Sequence, residues 1–440
     1  MSELRTAVPV RHVVAVFIGN ALSFYDFVTF SYFSVYIGRT FFPSHDPSVS
    51  LLASLATFGV GFLMRPIGAI VIGRMGDRIG RKPAMLLTFS LLGIGIAGMS
   101  LTPSYASIGV AAPVIVILFR LLQGLALGGE VGPTTAYMAE AAPPRRRGLY
   151  LSMQYATQDC ATLTAGFVGV ALAALLTDTQ LQEWGWRVAL LIGASIVPFG
   201  LLLRRGLPET LHKADDAALA PDAVAGSLTR MDRVRPYLAI IVLGLMMLTA
   251  GTIGSYTVGY MTTYAISTLK LSAAISFGVT IINGFFSIVF EVLSGYWSDK
   301  YGRKPVMIIP GVLLLVSIFP CFWLIDHFRN VWALYGAETV MVIFAAVSSV
   351  PPIVTITESL PAPIRSGAVA MIYAFAISTF GGSTQFVITA LIKWTGNPLA
   401  PAWYWSGAMV VGLIAMAFVK ESAPVKTNST LSPFKGERAG

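Results

Sequence analysis

A highly charged decapeptide occurs twice in this 440-residue chain, each time between two long apolar segments. The first copy, GRMGDRIGRK, occupies residues 73–82, and the second, GYWSDKYGRK, occupies residues 295–304. Each copy contains an aspartate followed by a basic residue and ends in glycine, arginine and lysine. The copies lie about half the chain length apart, which indicates an internal duplication. The chain is therefore predicted to consist of two equivalent halves.

A second repeated element occupies the corresponding position in each half. Glu140 precedes Arg147 by seven residues and Glu358 precedes Arg365 by seven, with prolines between the two charges in both copies. Two repeated elements in the same order favour duplication over coincidence.

The composition excludes a soluble globular protein. Hydrophobic residues make up 55% of the chain, charged residues only 12%, and the mean hydropathy is +0.73. A soluble chain carries about 25% charged residues. The apolar segments are continuous and about 20 residues long, the length at which a helix crosses a hydrocarbon core of about 30 Å. Because a β-barrel would show short alternating segments instead, we predict an all-α integral membrane protein in a lipid bilayer.

The apolar segments predict twelve membrane-spanning helices, six in each half. The two pseudo-symmetric six-helix bundles would occupy residues 1–205 and 236–420. Residues 206–235 are polar and are predicted to form a cytosolic linker, and residues 421–440 a cytosolic tail. The predicted helices lie near residues 12–37, 50–73, 84–102, 112–138, 149–176, 186–204, 237–265, 273–296, 305–325, 332–357, 367–391 and 402–419.

The distribution of lysine and arginine predicts the orientation in the membrane. If both termini are cytoplasmic, the loops on the other side contain only Arg39, Lys270, Arg329 and Lys393, whereas most basic residues lie on the cytosolic side. Cytoplasmic loops of membrane proteins carry such an excess. Both decapeptides are therefore predicted to be cytosolic, and the net charge of +9 needs no nucleic-acid partner.

No residue pattern predicts an enzyme, a metal site or a cofactor. Cys160 and Cys321 lie in apolar segments of opposite halves, and the four histidines have no metal-ligand spacing. Neither a nucleophile–base pair nor a nucleotide-binding motif is visible. We therefore expect a non-enzymatic membrane protein without a cofactor.

Several segments resemble motifs of the major facilitator superfamily. Both decapeptides match its signature G-x-x-x-D-[RK]-x-G-R-[RK], and residues 120–124, RLLQG, resemble its R-x-x-Q-G element. Finer features are similar to its metabolite–proton symporter family, and most of all to bacterial citrate and tricarballylate proton symporters. These features are GN at residues 19–20, YDF at 25–27, FLMRP at 62–66, GGE at 128–130, WGWR at 184–187 and YMTTY at 260–264.

Two segments depart from that family. Residues 153–159 read MQYATQD where the family pattern has W-Q-S-x-S-Q-Q, and residues 348–352 read SSVPP where a Y-N-G-type segment is usual. Both segments are expected beside a central cavity, so the departures bear on the choice of substrate. The tail also lacks the coiled-coil heptads of the osmosensory betaine/proline member.

The resemblance implies two six-helix bundles around a central cavity, alternating access, and location in the bacterial inner membrane with both termini in the cytoplasm. It also implies a gradient-driven transporter that works as a monomer. An inside-negative potential opposes polyanion entry by about 2.3 kcal/mol per charge and 100 mV, so protons must accompany the substrate. The predicted function is proton-coupled uptake of a small organic anion, most of all a tricarboxylate such as citrate.

Other functions stay open at this point. The substrate could instead be a dicarboxylate, an aromatic acid or a zwitterionic osmolyte such as betaine or proline. A channel would conduct without counterflow or saturation, and a sensor would bind its ligand without uptake in proteoliposomes.

Ionisable side chains inside apolar segments are candidates for the transport chemistry, because a charge in a bilayer is costly unless paired or hydrated. The acids predicted to couple protons are Asp26, Glu130 and Asp159. Arg65 and Arg120 could each bind a substrate carboxylate through a bidentate guanidinium. Either arginine could instead form a fixed ion pair that holds the first half together. Further acids lie in apolar segments of the second half, at Glu291 and Glu338.

Polar residues at helical spacing add uncharged candidates. Gln154 and Gln158 share one helix face, and Tyr256 and Tyr260 share another, which favours a water-filled cavity over lipid. The alternative for the tyrosines is anchoring at the membrane interface. The complete set of predicted substrate-binding residues is Asn20, Tyr25, Arg65, Arg120, Gln154, Gln158, Tyr256 and Tyr260.

The repeated charged motifs are predicted to form a cytosolic gate. An aspartate in each decapeptide could cap the next helix or pair with basic residues across the loop, and each Glu–Arg element offers matching partners. A purely topological role, as a positive anchor on the cytosolic side, is the alternative. The predicted gate residues are Asp77, Arg78, Arg81, Asp299, Arg303, Glu140, Arg147, Glu358 and Arg365.

Overall fold

The computed structural model describes residues 21, 24–79, 81–205, 237–360 and 362–427, and the fold is given for these residues. In the first half, the helices follow one another through short connections. They are α1 (24–32), α2 (Ser34–Phe41), α3 (Pro47–Leu63), α4 (Arg65–Arg78), α5 (Arg81–Leu101), α6 (Tyr105–Ile108), α7 (Ala111–Ala141), α8 (Arg147–Leu175), α9 (Asp178–Gln180) and α10 (Trp186–Arg205).

The described part of the second half has the same helical character. Its helices are α11 (Leu238–Ser267), α12 (Ala273–Tyr301), α13 (Arg303–Phe328), α14 (Val331–Ser359), α15 (Ala362–Ala376), α16 (Gly382–Thr395), α17 (Ala400–Phe418) and α18 (Pro424–Thr427). Within the described ranges, nine helical segments are long and apolar enough to cross a membrane, with α3 and α4 counted as one segment and α15 and α16 as another. The predicted linker, residues 206–235, lies entirely outside these ranges, as do residues 1–20 and 428–440.

The second predicted span is two helices rather than one. Helix α3 ends at Leu63 and α4 begins at Arg65, with Met64 between them. Pro66 has no amide hydrogen, so it cannot continue the hydrogen-bond ladder of α3. A proline at the second position of a new helix is well tolerated for the same reason. The break places Arg65 at a helix start, in the interior of the bundle.

A π-helical segment also interrupts the span predicted at residues 367–391. Helices α15 and α16 are separated by Ile377–Gly381, and a comparable segment at Leu181–Gly185 precedes α10. Such segments occur frequently at functional sites. At Gly381 a Cβ would lie 2.8 Å from the ring of Tyr256, so the absence of a side chain there lets α11 approach closely.

Aromatic residues form much of the core of the first half. The rings of Phe27 and Phe58 have centroids 4.7 Å apart, and those of Phe27 and Phe62 are 4.9 Å apart. The same cluster extends to Phe277 of the second half, whose ring lies 4.6 Å from that of Phe33. The core therefore continues across the boundary between the halves.

Helices α8 and α12 form a direct backbone seam between the halves. A Cβ on Gly148 would lie 2.6 Å from the carbonyl oxygen of Gly295, and a Cβ on Gly284 would lie 2.6 Å from the amide nitrogen of Leu163. Real Cβ atoms do not approach so closely, so these positions exclude any side chain. Small residues allow membrane helices to pack backbone against backbone. The glycines fix the spacing of the two halves.

Candidate functional site

A cavity of about 200 Å³ lies between the two halves. Its walls come from the central turns of α8, α11 and α12, with contributions from α1, α14, α15 and α16. Both segments that depart from the family pattern reach it, through Tyr155 and Gln158 in one and Ser348 and Ser349 in the other. The cavity is mainly apolar, and its chemically distinctive side chains are Arg65, Gln158, Asp159, Tyr256, Glu291 and Tyr373.

The guanidinium of Arg65 is the basic group of the cavity wall. It stacks between two phenyl rings, 4.1 Å from the centroid of Phe62 and 4.6 Å from that of Phe27. Its Nε and Nη2 atoms are buried and have no hydrogen-bond partner among the described residues. Tyr256 lies beside it with its hydroxyl within interaction range. Buried hydrogen-bond donors in proteins nearly always have an acceptor, so the donors at Nε and Nη2 are suited to bind an acceptor group in the cavity.

Arg120 and Asp26 lie behind this wall rather than in it. The Nη1 atom of Arg120 donates to Gln123 at 2.8 Å, and its guanidinium lies 4.3 Å from the ring of Phe30. Asp26 is 1% exposed, and neither carboxylate oxygen has a hydrogen-bond partner among the described residues. The two charges are near enough to interact but form no direct ion pair in the described structure. The fixed pair considered from the sequence is therefore not formed here.

Helix α8 brings Gln158 and Asp159 to the cavity together. Gln158 lies near Tyr373 of α15, and Asp159 lies near Glu291 of α12, its carboxyl within interaction range. Both α12 and α15 belong to the second half. The predicted residues of α8 therefore contact the second half across the cavity.

Helix α12 contributes a polar stripe that extends the predicted site, in which Glu291 was noted from the sequence only as an intramembrane acid. Asn283, Ser287 and Glu291 all line the cavity, and the Ser287 hydroxyl donates to Asn283 Oδ1 at 3.2 Å. The three are spaced by four residues, the repeat that puts side chains on one helix face. That repeat, in an apolar segment ending in a glutamate, was the signal that could have identified them.

Several predicted substrate-binding residues lie away from the cavity wall. The hydroxyl of Tyr25 donates to the carbonyl of Ala189 at 3.1 Å, and Tyr260 accepts from Thr389 at 2.9 Å. Gln154 is buried, with Gln158 one turn further along α8 at the cavity. Asn20 lies outside the described residues.

Polar contacts join the halves on one side of the cavity. Ser31 donates to Gln385 Oε1 at 2.8 Å, and the hydroxyls of Ser34 and Thr263 lie 3.3 Å apart. Further from the cavity, Lys393 Nζ and Asp46 Oδ2 form an exposed ion pair at 2.8 Å. The Lys393 ammonium and the Ser48 amide, which both bond the Asp46 carboxylate, hold its pKa below its usual value.

A second set of contacts joins the halves on the motif face, the end that carries residues 295–304. Asp299 of α12 accepts the amide hydrogens of Gly148 and Leu149, each at 2.9 Å. These amides lie at the start of α8, where backbone N–H groups have no intrahelical partner. A carboxylate at this end is also favoured by the helix dipole. The decapeptide of one half thus caps a helix of the other half.

Arg303 links that cap to the rest of the motif face. It is fully buried and pairs with both acids of the motif face, with Asp299 at 2.7 Å and with Glu358 at 3.0 Å. Ser422 donates to Glu358 at 2.7 Å. Glu421 accepts the amide hydrogens of Arg303 at 2.9 Å and Lys304 at 3.0 Å. These contacts tie the C-terminal end of the described chain to the second decapeptide.

The structure describes the side chains of only some of the other predicted gate residues. Arg147 begins α8, and its buried Nε has no partner among the described residues. Glu358 pairs with Arg303. The side chains of Asp77, Arg78, Arg81, Glu130, Glu140 and Arg365 fall outside the described part of the chain.

Comparison with known proteins places this arrangement in a family. Residues 12–220 match the family model described as sugar (and other) transporter, and residues 273–438 match the model of the major facilitator superfamily. The citrate-proton symporter of Klebsiella pneumoniae is 34% identical over 92% of this chain and 91% of its own length. The chain belongs to the major facilitator superfamily. The alpha-ketoglutarate permease of Escherichia coli K12 is 35% identical over 90% of each chain.

A solved superfamily structure shares the fold. The crystal structure of a D-xylose-proton symporter matches with a TM-score of 0.76 at 20% identity, covering 94% of this chain and 98% of the other. The predicted superfamily fold, an all-α membrane protein, is thereby confirmed, and the nine spanning segments of the described ranges are consistent with the twelve predicted helices. The superfamily relatives are transporters and not enzymes, and this chain is a multi-pass membrane transporter.

Proposed function

We propose that this superfamily member takes up a small organic anion together with protons by alternating access, and that a tricarboxylate such as citrate is its substrate. The observation that carries the proposal is the guanidinium of Arg65, which faces a cavity between the halves with two unsatisfied donors. A planar guanidinium binds a carboxylate through two parallel hydrogen bonds. The similarity to citrate-proton symporters supports the same class of substrate.

Arg65 would bind one substrate carboxylate, with Tyr256 and Gln158 orienting it by hydrogen bonds. The phenyl rings on either side of Arg65 restrict its movement, so little side-chain entropy is lost on binding. Arg120, one layer deeper, would balance the charge of Asp26. Tyr25, Gln154 and Tyr260 would support this wall from behind.

Protons would enter through the acids of the first half. Of the predicted proton-coupling residues whose side chains the structure describes, Asp159 lines the cavity, whereas Asp26 is buried outside its wall. Glu130 remains a prediction, as does Asn20 in the substrate site. A trivalent anion entering against a potential of 100 mV meets about 7 kcal/mol, at about 2.3 kcal/mol per charge. Co-transported protons remove that cost.

Alternating access would use the two sets of contacts between the halves. Asp299, Arg303 and Glu358 would hold the motif face closed, and their separation would open the cavity there. Asp77, Arg78, Arg81, Glu140, Arg147 and Arg365 would complete this gate. We further propose that the motif face is cytoplasmic, as the positive-inside pattern predicts, that the membrane is the bacterial inner membrane, and that a monomer is active.

A dicarboxylate is the second candidate substrate. The alpha-ketoglutarate permease of Escherichia coli is as similar to this chain as the citrate symporters are. The described cavity has one arginine in its wall, which fits either a dicarboxylate or a tricarboxylate that enters partly protonated.

The test is uptake of radiolabelled citrate into proteoliposomes under an imposed pH gradient. Citrate, tricarballylate, alpha-ketoglutarate, an aromatic acid, betaine and proline would be compared as competitors. We expect concentrative citrate uptake that collapses with the gradient and is blocked by tricarballylate. Uptake indifferent to the gradient would refute proton coupling. Competition by betaine or proline but not by either tricarboxylate would refute the choice of an organic anion.

A substitution at Arg65 tests the site itself. Arg65→Lys retains the charge but loses the fork, and a charge-assisted hydrogen bond contributes about 1.5–3 kcal/mol. We therefore expect the KM for citrate to rise about tenfold to 100-fold. Arg329→Lys, at an exposed helix end, is the matched control and should leave the KM unchanged. An unaltered KM in Arg65→Lys would remove Arg65 from the substrate site.

A further inference from the structure

Two acids, one buried and one partly buried, face each other across the seam between the halves. Asp159 belongs to α8 and Glu291 to α12, and both line the cavity. Their carboxyl groups lie within hydrogen-bonding range of each other. Glu291 is 6% exposed, and its Oε2 atom has no hydrogen-bond partner among the described residues. An acid pair in this position joins the two parts of the molecule that must move apart.

The helices around the pair leave it no room to separate. On the motif side, the backbone contact between Gly148 and Gly295 fixes the spacing of α8 and α12. On the other side, Gly284 contacts the backbone of Leu163. Asp159 and Glu291 lie between these two contacts along the seam. The carboxyl groups can therefore move apart only when the halves themselves move.

No positive charge offsets the pair in the described structure. The ionisable groups that face it are Tyr32 of α1, Tyr155 and Cys160 of α8 itself, and, beyond Tyr155, Tyr373 of α15. Glu338 of α14 lies on the far side of Tyr32. None of these can supply a counter-charge, and no ion pair between described residues reaches either carboxyl group. Arg65, on the same cavity, is directed at Tyr256 and Tyr373 instead.

Electrostatics then limits how many protons the pair can lose. Two carboxylates sharing a buried site repel strongly, and one of them keeps a proton. Such a pair takes up and releases protons as a unit rather than as two independent groups. While the seam is closed, one proton held between Asp159 and Glu291 would complete a hydrogen bond across it.

We propose that Asp159 and Glu291 together form the proton-binding site of transport, holding one proton between the halves and releasing it to water when the seam opens. This inference rests on the proposed proton-coupled function and specifies where coupling occurs. The proton passes from a carboxyl group to water and no covalent bond is formed. Opening of α8 from α12 hydrates both acids, relieves their repulsion, and so makes proton release depend on conformation.

The experiment compares Asp159→Asn, Glu291→Gln and Asp159→Glu with the unmodified protein in proteoliposomes. Each is assayed for citrate exchange at equal pH and for accumulation under a gradient of about one pH unit, which supports about tenfold accumulation per coupled proton. Asp159→Asn and Glu291→Gln should keep exchange and lose this tenfold accumulation. Asp159→Glu preserves both carboxyl groups and should keep both activities. Glu338→Gln, a fully buried acid that does not line the cavity, is the matched control.

Infrared difference spectroscopy during a pH titration gives a readout independent of transport. The unmodified protein should show the carbonyl band of a protonated carboxyl group, and this band should disappear on titration. The band should be absent in both Asp159→Asn and Glu291→Gln and present in Glu338→Gln. Concentrative uptake by either single variant at the unmodified level would overturn the proposal.

The two proposals fail in different ways. If the unmodified protein transports citrate but ignores the gradient, the proton-coupled function is wrong, and the infrared band alone decides whether the acids share a proton. If the unmodified protein is coupled and the two variants remain coupled, the pair is wrong and the function stands. A variant that neither exchanges citrate nor remains monodisperse in detergent has misfolded. In that case Asp159→Glu tests the proposal, because it retains both carboxyl groups. Loss of coupling in Asp159→Glu would contradict the role of the pair.

Discussion

Asp299→Asn is the substitution whose effect can be worked out most fully. The Asp299 carboxylate accepts two amide hydrogens of α8 at 2.9 Å and a guanidinium hydrogen of Arg303 at 2.7 Å. The amide donors belong to the first half and the acceptor to the second. Asparagine has nearly the same shape but no charge and a single acceptor oxygen. The substitution therefore weakens the motif-face closure without removing bulk.

The magnitude follows from the bonds that are lost. Hydrogen bonds to a charged group contribute about 1.5–3 kcal/mol each, and loss of a helix cap costs about 1 kcal/mol. Asparagine can still accept one of the two amide hydrogens, and Arg303 keeps both of its bonds to Glu358. We expect a net loss of about 2–3 kcal/mol from the closed state. Since about 1.4 kcal/mol is tenfold, the closed-to-open ratio should fall about 30- to 150-fold.

A thiol in the seam reports this equilibrium. Ser152 of α8 is fully buried, and its hydroxyl would lie 2.5 Å from a Cβ on Gly295, so a maleimide reaches it only when α8 and α12 separate. With Cys160 and Cys321 replaced by alanine, the labelling rate of Ser152→Cys should rise about 30- to 150-fold when Asp299→Asn is added. A rise below about threefold would refute the assigned closure.

Asp326→Asn is the control for the labelling assay. Asp326 forms an ion pair with Arg329 three residues away on the same segment, at 2.7 Å, and does not link the halves. The same chemical change should therefore leave the labelling rate unaltered. Equal acceleration in both variants would show that the effect of Asp299→Asn is not specific to the seam.

Two further predictions concern the tail contact and the seam. Partial burial alone would raise the pKa of Glu421, but amide hydrogen bonds from Ala423, Arg303 and Lys304 hold it below its ordinary value. Its stabilising contribution is therefore complete above that ordinary value and is lost as pH falls through the lowered pKa. Glu421→Gln should therefore reduce the melting temperature at pH 7, and this difference should disappear in acid, once the pH lies below the lowered pKa. Glu183→Gln, at an exposed position, is the control. If the melting temperature of Glu421→Gln stays below that of the unmodified protein in acid, the role of the Glu421 carboxylate is contradicted. Gly284→Ala places a Cβ 2.6 Å from the Leu163 amide and should destabilise the closed seam by about 1–3 kcal/mol. It should lower the citrate exchange rate, whereas Gly336→Ala, with open space around it, should not.

The sequence was sufficient to predict the architecture because bilayer thickness fixes the length of an apolar helix. The duplicated decapeptide likewise predicted two halves. Interruptions within the helices were harder to predict. Pro66 is a sequence signal for the break before α4, but the π-helical segment at Ile377–Gly381 contains no proline. That segment depends on the packing of Gly381 against Tyr256, which only the tertiary structure supplies.

The candidate site was only partly predictable, because periodicity identifies a helix face but not the direction in which it points. Tyr256 and Tyr260 share one face of α11, yet Tyr256 reaches the cavity and Tyr260 packs against Thr389. For the same reason, Glu291 was visible as an intramembrane acid but not as the neighbour of Asp159.

The spacing of residues in the sequence also could not predict which groups the gate residues contact. Glu358 pairs with Arg303, 55 residues away, rather than with a residue of its own Glu–Arg repeat in the described part of the chain. Asp299 accepts hydrogen bonds from backbone amides of the other half. Every residue type except proline carries such an amide, so the sequence does not indicate which ones will bind Asp299.

The glycine seam has a consequence for the cost of the conformational cycle. Where backbone meets backbone, few rotamers are released or frozen when the surfaces part, and little apolar side-chain area changes its surroundings. The free energy of opening this seam then depends chiefly on a small number of polar contacts at its ends. A ligand that binds one orientation about 100-fold better, or about 2.7 kcal/mol, is enough to reverse a tenfold preference between them. A substrate and protons bound at the centre would therefore be enough to drive the whole bundle.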